Sequence, residues 1–434
     1  MPVEPEFLWL ESEGPDAPLL RQAQAALFVS GAPRVLGLAV SGGSDSMAML
    51  HLMARAASHA GGQVRAVTVD HALRAGSAEE AAFVGQVCAT LGVPHHTLLW
   101  DHDEIAGNLQ DQARKARYGL ICGWALAKGI RQVAVAHTAD DQAETFLMGL
   151  SRAAGLEGLS GMRPLWRDGD VTFRRPFLGL SRDAMRSYMV RHGLEWRDDP
   201  SNENDRFQRV RARRALKALK PLGITAARLS ETIGHLSQSL GVVGEATAEI
   251  FGRIGSDANG AVALRHGVFE PDGNGFFYIG DERRRLLLLA VLRWISRPEH
   301  PPRAEAVGRV LDAIRNGRDS TLGGCRIRMS KGENILIVRE PRAVAGLSSP
   351  TDALWDNRWR LFGPHKPDLE IRALGADGLC DCPDWRATGL SRDVLIVSPA
   401  VWDGPRLIAA PLAGKACGWT ATIDRSLPEF IISH

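Results

Sequence analysis

The chain is predicted to be an α/β protein: a doubly wound parallel sheet, followed by a helical domain and a small β-rich C-terminal domain. Three observations carry this. Val35–Val40 lacks polar alternation and reads as a strand buried on both faces, with Val64–Val69 as a second buried strand and Gln132–Ala136 as another strand. Helix-patterned stretches separate them, which is the alternation of a parallel sheet. Beyond Gly317 the pattern changes to short apolar runs between glycines and prolines.

In chain order, Leu19–Phe28 reads as a short helix leading into the first strand. After the turn at Ser41, Ser46–Ser58 continues as helix until Gly61-Gly62 stops it. Val64–Val69 ends at Asp70-His71-Ala72-Leu73-Arg74, and Ser77–Leu91 is helical, with Ser77 and Glu80 at capping-box spacing. His96–Trp100 is a third strand, Asn108–Lys128 a long helix closed by Gly129, Gln132–Ala136 a fourth strand and Asp140–Leu150 another helix. Arg152–Pro176 has no clear period and reads as an ordered loop or a small hairpin. Ser181–His192 is helical, and the basic run Arg206, Arg209, Arg211, Arg213, Arg214, Lys217, Lys220 ends at Pro221. Leu222–Ser256 and Asp281–Asn316 look helical, while Ile335–Val338 and Val394–Val397 suggest strands. The expected domains are therefore 19–220, 221–316 and 317–434.

A length of 434 residues suffices for two or three cores, and 45% hydrophobic with 24% charged residues is ordinary for a soluble globular protein. A formal net charge of +2 means that a nucleic-acid surface must come from local clustering. Six cysteines make no disulfide framework, and Cys380 and Cys382 lack the second pair of a zinc site. The expected setting is reducing and cytoplasmic. The acidic, proline-containing start has no signal-peptide pattern, and Arg285–Trp294, the most apolar helix, is too short and too charged to span a membrane.

Chemistry is expected at the strand ends, where Ser41, Asp70 and His137 fall. Ser41-Gly42-Gly43-Ser44-Asp45-Ser46 joins strand to helix. Glycines allow close backbone approach, and a helix N-terminus offers free N–H groups and a favourable dipole for an anion. An ordinary strand-to-helix turn fits the same spacing. No lysine follows the glycines, which excludes a Walker-type loop. The six residues together resemble the pyrophosphate loop (PP-loop) of N-type ATP pyrophosphatases, which implies ATP as cosubstrate.

Asp70 and His71 either flank the adenine or ribose or form a solvated turn. Asp140, Asp141 and Glu144 either cap a helix through its dipole or, with Asp45, hold Mg²⁺, a hard cation that takes one or two carboxylates plus phosphate oxygens. Arg114 and Arg117, three apart, either point at a phosphate or line a solvated face. The tryptophans at 355, 359, 385, 402 and 419 read as core before they read as stacking platforms.

Ser41–Ser46, Asp70–Arg74, Arg114–Tyr118 and His137–Glu144 occur in the order seen in tRNA(Ile)-lysidine synthases. Arg152–Met162, Arg175-Pro176-Phe177-Leu178 and Trp196–Asn204 resemble that family's next blocks, so the likeness runs from about Val35 to Lys220. Gln110 stands where the family usually has Glu, Thr138 where a second His is common, Ala153 where Gly is usual and Val210 where Asn is typical. The last two read as backbone or surface changes. The resemblance implies a two-step reaction: ATP adenylates the wobble cytidine of a CAU-anticodon tRNA(Ile), and L-lysine then displaces AMP. It implies that Ser41, Gly42, Gly43, Ser44, Asp45 and Ser46, with Asp70 and His71, bind ATP and that Asp45 and Asp141 bind Mg²⁺. It further implies that Arg114, Arg117 and His137 contact the transition state, and that Arg206, Arg209, Arg211, Arg213, Arg214 and Lys217 bind tRNA. A homodimer is allowed for.

Rival readings fare worse. A thiolase built on this loop would carry cysteine pairs near it, yet Cys88 and Cys122 fall inside expected helices. An amide-forming synthetase has no use for the basic run, and a nucleotide-gated RNA binder has no use for Asp45, Asp141 and Arg114 together.

Overall fold

A computed structural model describes residues 13–28, 35–72, 76–102, 109–197, 208–267, 275–298, 302–329 and 334–433. They form two compact units, Met1–Leu240 and Gly241–His434.

The first unit opens with α1 (Ala17–Phe28) and then alternates as the apolar patterning requires. Its elements are β1 (Val35–Ala39), α2 (Ser44–Ala60), β2 (Gln63–Asp70), α3 (Ser77–Thr90), β3 (His95–Leu99), α4 (Leu109–Ala127), β4 (Gln132–Val135) and α5 (Ala139–Leu150). A single helical turn, α6 (Leu156–Leu159), and a hairpin of β5 (Leu165–Asp168) and β6 (Val171–Arg174) occupy the stretch without a period. After these come α7 (Arg182–Arg191), α8 (Gln208–Leu219) and α9 (Ala226–Ile254), the last crossing the 240/241 division.

The sheet order is β3-β2-β1-β4-β6-β5, parallel throughout except for β5. Strand order reverses between β1 and β4, so the crevice beyond their carboxyl ends is the topological switch point. Both faces are covered, as a parallel sheet demands. Leu36 and Leu38 pack with Leu20, Met47, Met53 and Met189 on one side; Val133, Val135 and Phe173 pack with Tyr118, Ile121 and Trp124 on the other.

Local details depart from the expectations. Gly76, at φ 97, caps α3 without a side-chain cap hydrogen bond, so the Ser77/Glu80 capping box is not what starts that helix. Ala153 adopts φ 51, the left-handed region that costs a non-glycine residue about 1 kcal/mol. That is a backbone reason for glycine being usual there. Gly161 has φ 71, and a Cβ there would lie 2.5 Å from Ile233 Cγ2 and 2.6 Å from Gln142 Oε1. Gln142 of α5 grips the neighbouring backbone, accepting from Met162 N–H at 2.6 Å and donating to Met162 O at 3.2 Å.

In the second unit, β7 (Gly255–Ala258), β8 (Ala261–Arg265), β9 (Ser320–Leu322), β10 (Cys325–Met329) and β11 (Asn334–Arg339) form an antiparallel sheet, order β7-β8-β11-β10-β9. Two helices, α10 (Asp281–Ser296) and α11 (Ala304–Arg315), replace the single one expected, and α10 ends at Arg297 with φ 46. The stretch 221–316 thus carries a hairpin as well as helices, and the sheet draws on both sides of the 316/317 boundary. One core joins Phe251, Leu288 and Trp294 to Ile327, Ile337 and Phe430.

The remaining strands are β12 (Ser349–Pro350), β13 (Trp359–Phe362), β14 (Glu370–Ala373), β15 (Pro399–Asp403), β16 (Arg406–Ala409) and β17 (Thr420–Ile423), arranged in two small sheets. Trp355, Trp359 and Trp419 are buried among them, with Trp385 and Trp402 partly so. Val394–Val397 is not a strand. Ser391 caps a helical turn, Arg392–Leu395, because a short apolar run suits either kind of buried segment. Among the described residues, no helix is long and apolar enough to cross a membrane.

Candidate active site

The turn after β1 is built by its own hydroxyls. Gly42 takes φ 85, which demands glycine, and its carbonyl accepts Arg197 N–H at 2.9 Å. Ser46 Oγ donates to Gly43 O at 2.9 Å and accepts Ser41 N–H at 3.1 Å, which curls the loop over the N-terminus of α2. The first-turn N–H groups of α2 have no intrahelical acceptor and open onto the switch-point crevice. Ser41–Ser46 therefore form a tight strand-to-helix turn at the N-terminus of α2, held by the Ser46 hydroxyl.

Facing the loop is a carboxylate cluster from two elements. Asp45 comes from α2; Asp140, Asp141 and Glu144 come from the start of α5. One residue that the sequence reading left out, Arg182, joins them. Its guanidinium donates to Asp45 at 2.9 Å, Glu144 at 3.1 Å and Asp141 at 3.3 Å, and its backbone N–H donates to Asp140 at 2.7 Å. Ser181 caps α7 by accepting from Ala184 N–H at 3.1 Å, which puts Arg182 in the first turn. A cation is disfavoured there by the helix dipole. That misplacement was the available signal, since an arginine in such a position needs nearby anions.

Charge balance explains the titration behaviour. Burial and the neighbouring Asp141 and Asp140 outweigh Arg182 and raise the Asp45 carboxyl above its ordinary range. Asp141 is also buried, which acts to raise it, but Arg182, His137 and the Thr138 N–H hold it below that range. Thr138 donates to Asp141 Oδ2 from its N–H at 2.9 Å and its Oγ1 at 3.0 Å, so the residue standing where a second His is common orients this carboxylate. Glu144 is 1% exposed; one of its oxygens is shared by Arg182 and Arg213, while Oε2 is buried without a hydrogen-bond partner among the described residues.

Among the described residues, no three metal-ligating side chains form a ready-made metal site. Mg²⁺ needs less: one or two carboxylates, with phosphate oxygens and water completing the shell. Asp45 and Asp141, already converging on one cation, fit that requirement.

Beside the carboxylates lies a cationic group. His137 follows β4, and Arg175 Nε donates to its Nδ1 at 2.9 Å. Burial pushes the His137 imidazole down to about 3. On α4, Arg114 and Arg117 lie over the Tyr118 ring, at 5.1 and 5.0 Å from its centroid, and Arg117 donates to the Tyr118 hydroxyl at 3.3 Å. Although burial works to raise it, Arg117 and Arg114 hold the Tyr118 hydroxyl below its ordinary value. At the end of β2, Asp70 accepts Ala72 N–H at 2.9 Å, and His71 presents a buried Nδ1 with no hydrogen-bond partner among the described residues. Arg74 and Arg206 lie outside the described residues.

The basic helix α8 is divided by face. Val210, Ala212 and Leu216 are buried, so Val210 is a core residue rather than a surface change. Arg213 turns inward, its Nε 2.9 Å from Glu144, and so belongs to the carboxylate cluster. The charge of Arg209 reaches His137 and Asp141, while Arg211, Arg214 and Lys217 are exposed.

Residues 18–219 match the family described as the PP-loop domain. Over 412 residues, 94% of this chain and 96% of the relative, the protein is 47% identical to a tRNA(Ile)-lysidine synthase of Ruegeria pomeroyi. A tRNA(Ile)-lysidine synthase of Hyphomonas neptunium is 37% identical, over 67% of this chain and 78% of its own. One from Wolbachia pipientis is 35% identical, over 75% of this chain and 76% of its own.

Replacing Arg182 by Ala leaves three carboxylates without their shared cation and should lower the urea-unfolding free energy by about 3 kcal/mol. An Arg182→Ala protein as stable as the parent would refute that dependence. For His137, the folded value lies far below the unfolded value of about 6.5, so the unfolded chain takes up the proton first. Its contribution is fully present above about pH 6.5 and is lost as pH falls toward 3. His137→Gln should make the decline of unfolding free energy between pH 6.5 and 4 shallower, by at most about 1.4 kcal/mol per pH unit; an unchanged slope would contradict the neutral imidazole.

Proposed function

Because the chain belongs to the tRNA(Ile)-lysidine synthase family, we propose that it converts the wobble cytidine of a CAU-anticodon tRNA(Ile) to lysidine with ATP and L-lysine. The cytidine C2 oxygen attacks the α-phosphorus of ATP and pyrophosphate leaves. The ε-amine of lysine then attacks C2, gives up a proton, and AMP departs with the original C2 oxygen. The single observation that supports this best is the meeting, at the switch point, of a tight strand-to-helix turn, a carboxylate cluster and a cationic group.

In this reading Ser41–Ser46 hold the pyrophosphate on the free N–H groups of α2. Asp70 and His71 sit where a nucleoside would lie, and the unpartnered His71 Nδ1 suits a base or ribose donor. Mg²⁺, when held by Asp45, Asp141 and phosphate oxygens, supplies charge neutralisation at the reacting phosphate. Arg114, Arg117 and His137 stabilise charge that builds up on the α-phosphate and the adenylate. Arg211, Arg214 and Lys217, with Arg206 and Arg209, provide phosphate contacts for tRNA. ATP and tRNA as substrates, together with six free cysteines, support a cytoplasmic setting.

Purified protein with ATP, Mg²⁺, labelled lysine and a CAU-anticodon tRNA transcript should yield lysine-labelled RNA and AMP. Absence of label, under conditions where ATP binds, would sink the assignment. Asp45→Ala should abolish AMP release while filter retention of tRNA persists. Reversing charge at Arg211 and Arg214 should weaken tRNA binding and make the slope of log K against log salt shallower by about 1 to 2; an identical slope would return α8 to a solvated face.

A further inference from the structure

Arg175 has a job that neither its motif nor the family reading assigns. A guanidinium carries only donors, so the ring nitrogen it faces must be a lone-pair acceptor. Arg175 Nε stands 2.9 Å from His137 Nδ1. A neutral imidazole has one proton, and with Nδ1 accepting, that proton resides on Nε2.

Arg175 is itself held from several directions. Its backbone N–H donates to Pro164 O at 2.8 Å, and its Nη1 donates to Arg163 O at 2.5 Å. Its guanidinium lies 3.8 Å from the centroid of the Trp166 ring, which stacks on Phe173 at 4.7 Å and 13°. Phe173 is fully buried, and the β5/β6 register pairs Trp166 with Phe173 directly. The hairpin is thus the seat of the arginine. Asp141 favours a second proton on the ring, but burial and the positive charges of Arg175, Arg117 and Arg209 oppose it.

We propose that Arg175 is a positioning residue that fixes His137 as the Nε2–H tautomer, so that His137 meets substrate as a hydrogen-bond donor and not as a general base. This rests on the lysidine-forming reading for what the donor faces: oxygen on the α-phosphate or the adenylate. It also settles where one proton does not go. The lysine amine must lose a proton in the second step, and a ring already protonated at Nε2 does not take it.

The test separates this from the parent reading. Two-bond ¹H–¹⁵N correlation spectra of histidine-labelled resting protein report the tautomer without any turnover. The wild type should show His137 neutral and protonated at Nε2 at pH 7, and Arg175→Ala should show a tautomer mixture. In single-turnover AMP release, Arg175→Ala should lose about 10²-fold in rate with ATP KM moved less than about threefold. His137→Gln can accept from Arg175 through Oε1 and donate through Nε2, so it should retain at least about 10-fold more activity than His137→Ala. If Arg175→Ala does not fold, Arg175→Lys serves, keeping a donor but losing the stack, with an intermediate rate. A wild-type His137 protonated at Nδ1, or a Gln variant no better than Ala, overturns the proposal. A wild type that never makes lysidine but shows the Nε2–H tautomer overturns the reaction and leaves the positioning role standing.

Discussion

The site depends on one electrostatic constraint: three carboxylates from two helices are gathered around a single guanidinium. Like charges at this separation and burial would drive α2 and α5 apart or force protonation. Arg182 resolves the conflict by reaching Asp45, Asp141 and Glu144 at 2.9–3.3 Å. Its own position, in the first turn of α7, is made acceptable by the same anions. The arrangement is mutually supporting, and it ties the Ser41–Ser46 turn at the start of α2 to the first turns of α5 and α7.

Much of this was legible before any coordinates. Unbroken apolar segments separated by helical patterns specify a parallel sheet, and the Ser-Gly-Gly-Ser-Asp-Ser order, the Asp141 cluster and the α4 arginines are local sequence features. What was not legible is what depends on contact. Arg182 lies 137 residues from Asp45, and nothing in its local context names its partners. Arg213 reads as one more member of a basic run until the fold turns it inward. The Val394–Val397 run failed for a different reason: four apolar residues satisfy a buried strand and a buried helical turn equally.

The carboxylate group and the cationic group beside it are built differently. On the carboxylate side, charge is concentrated and partly over-supplied, as the unpartnered Glu144 Oε2 shows. On the cationic side, charge is spread over aromatic surfaces: Arg114 and Arg117 over Tyr118, Arg175 over Trp166. Aromatic faces hold guanidinium groups in place without neutralising them, so their positive potential remains directed at the crevice.

The pairing of Arg213 with Glu144 bears on how this enzyme can be cut. Glu144 is 1% exposed and shares its oxygen with a residue of α8, a helix outside the sheet and its crossover helices. A fragment ending at the last strand of that sheet would lose both cations on Glu144, so one that keeps this cluster's pairings intact extends through Arg213. Helix α8, whose outer face carries the basic run, is therefore tied through Arg213 into the carboxylate cluster of the PP-loop domain.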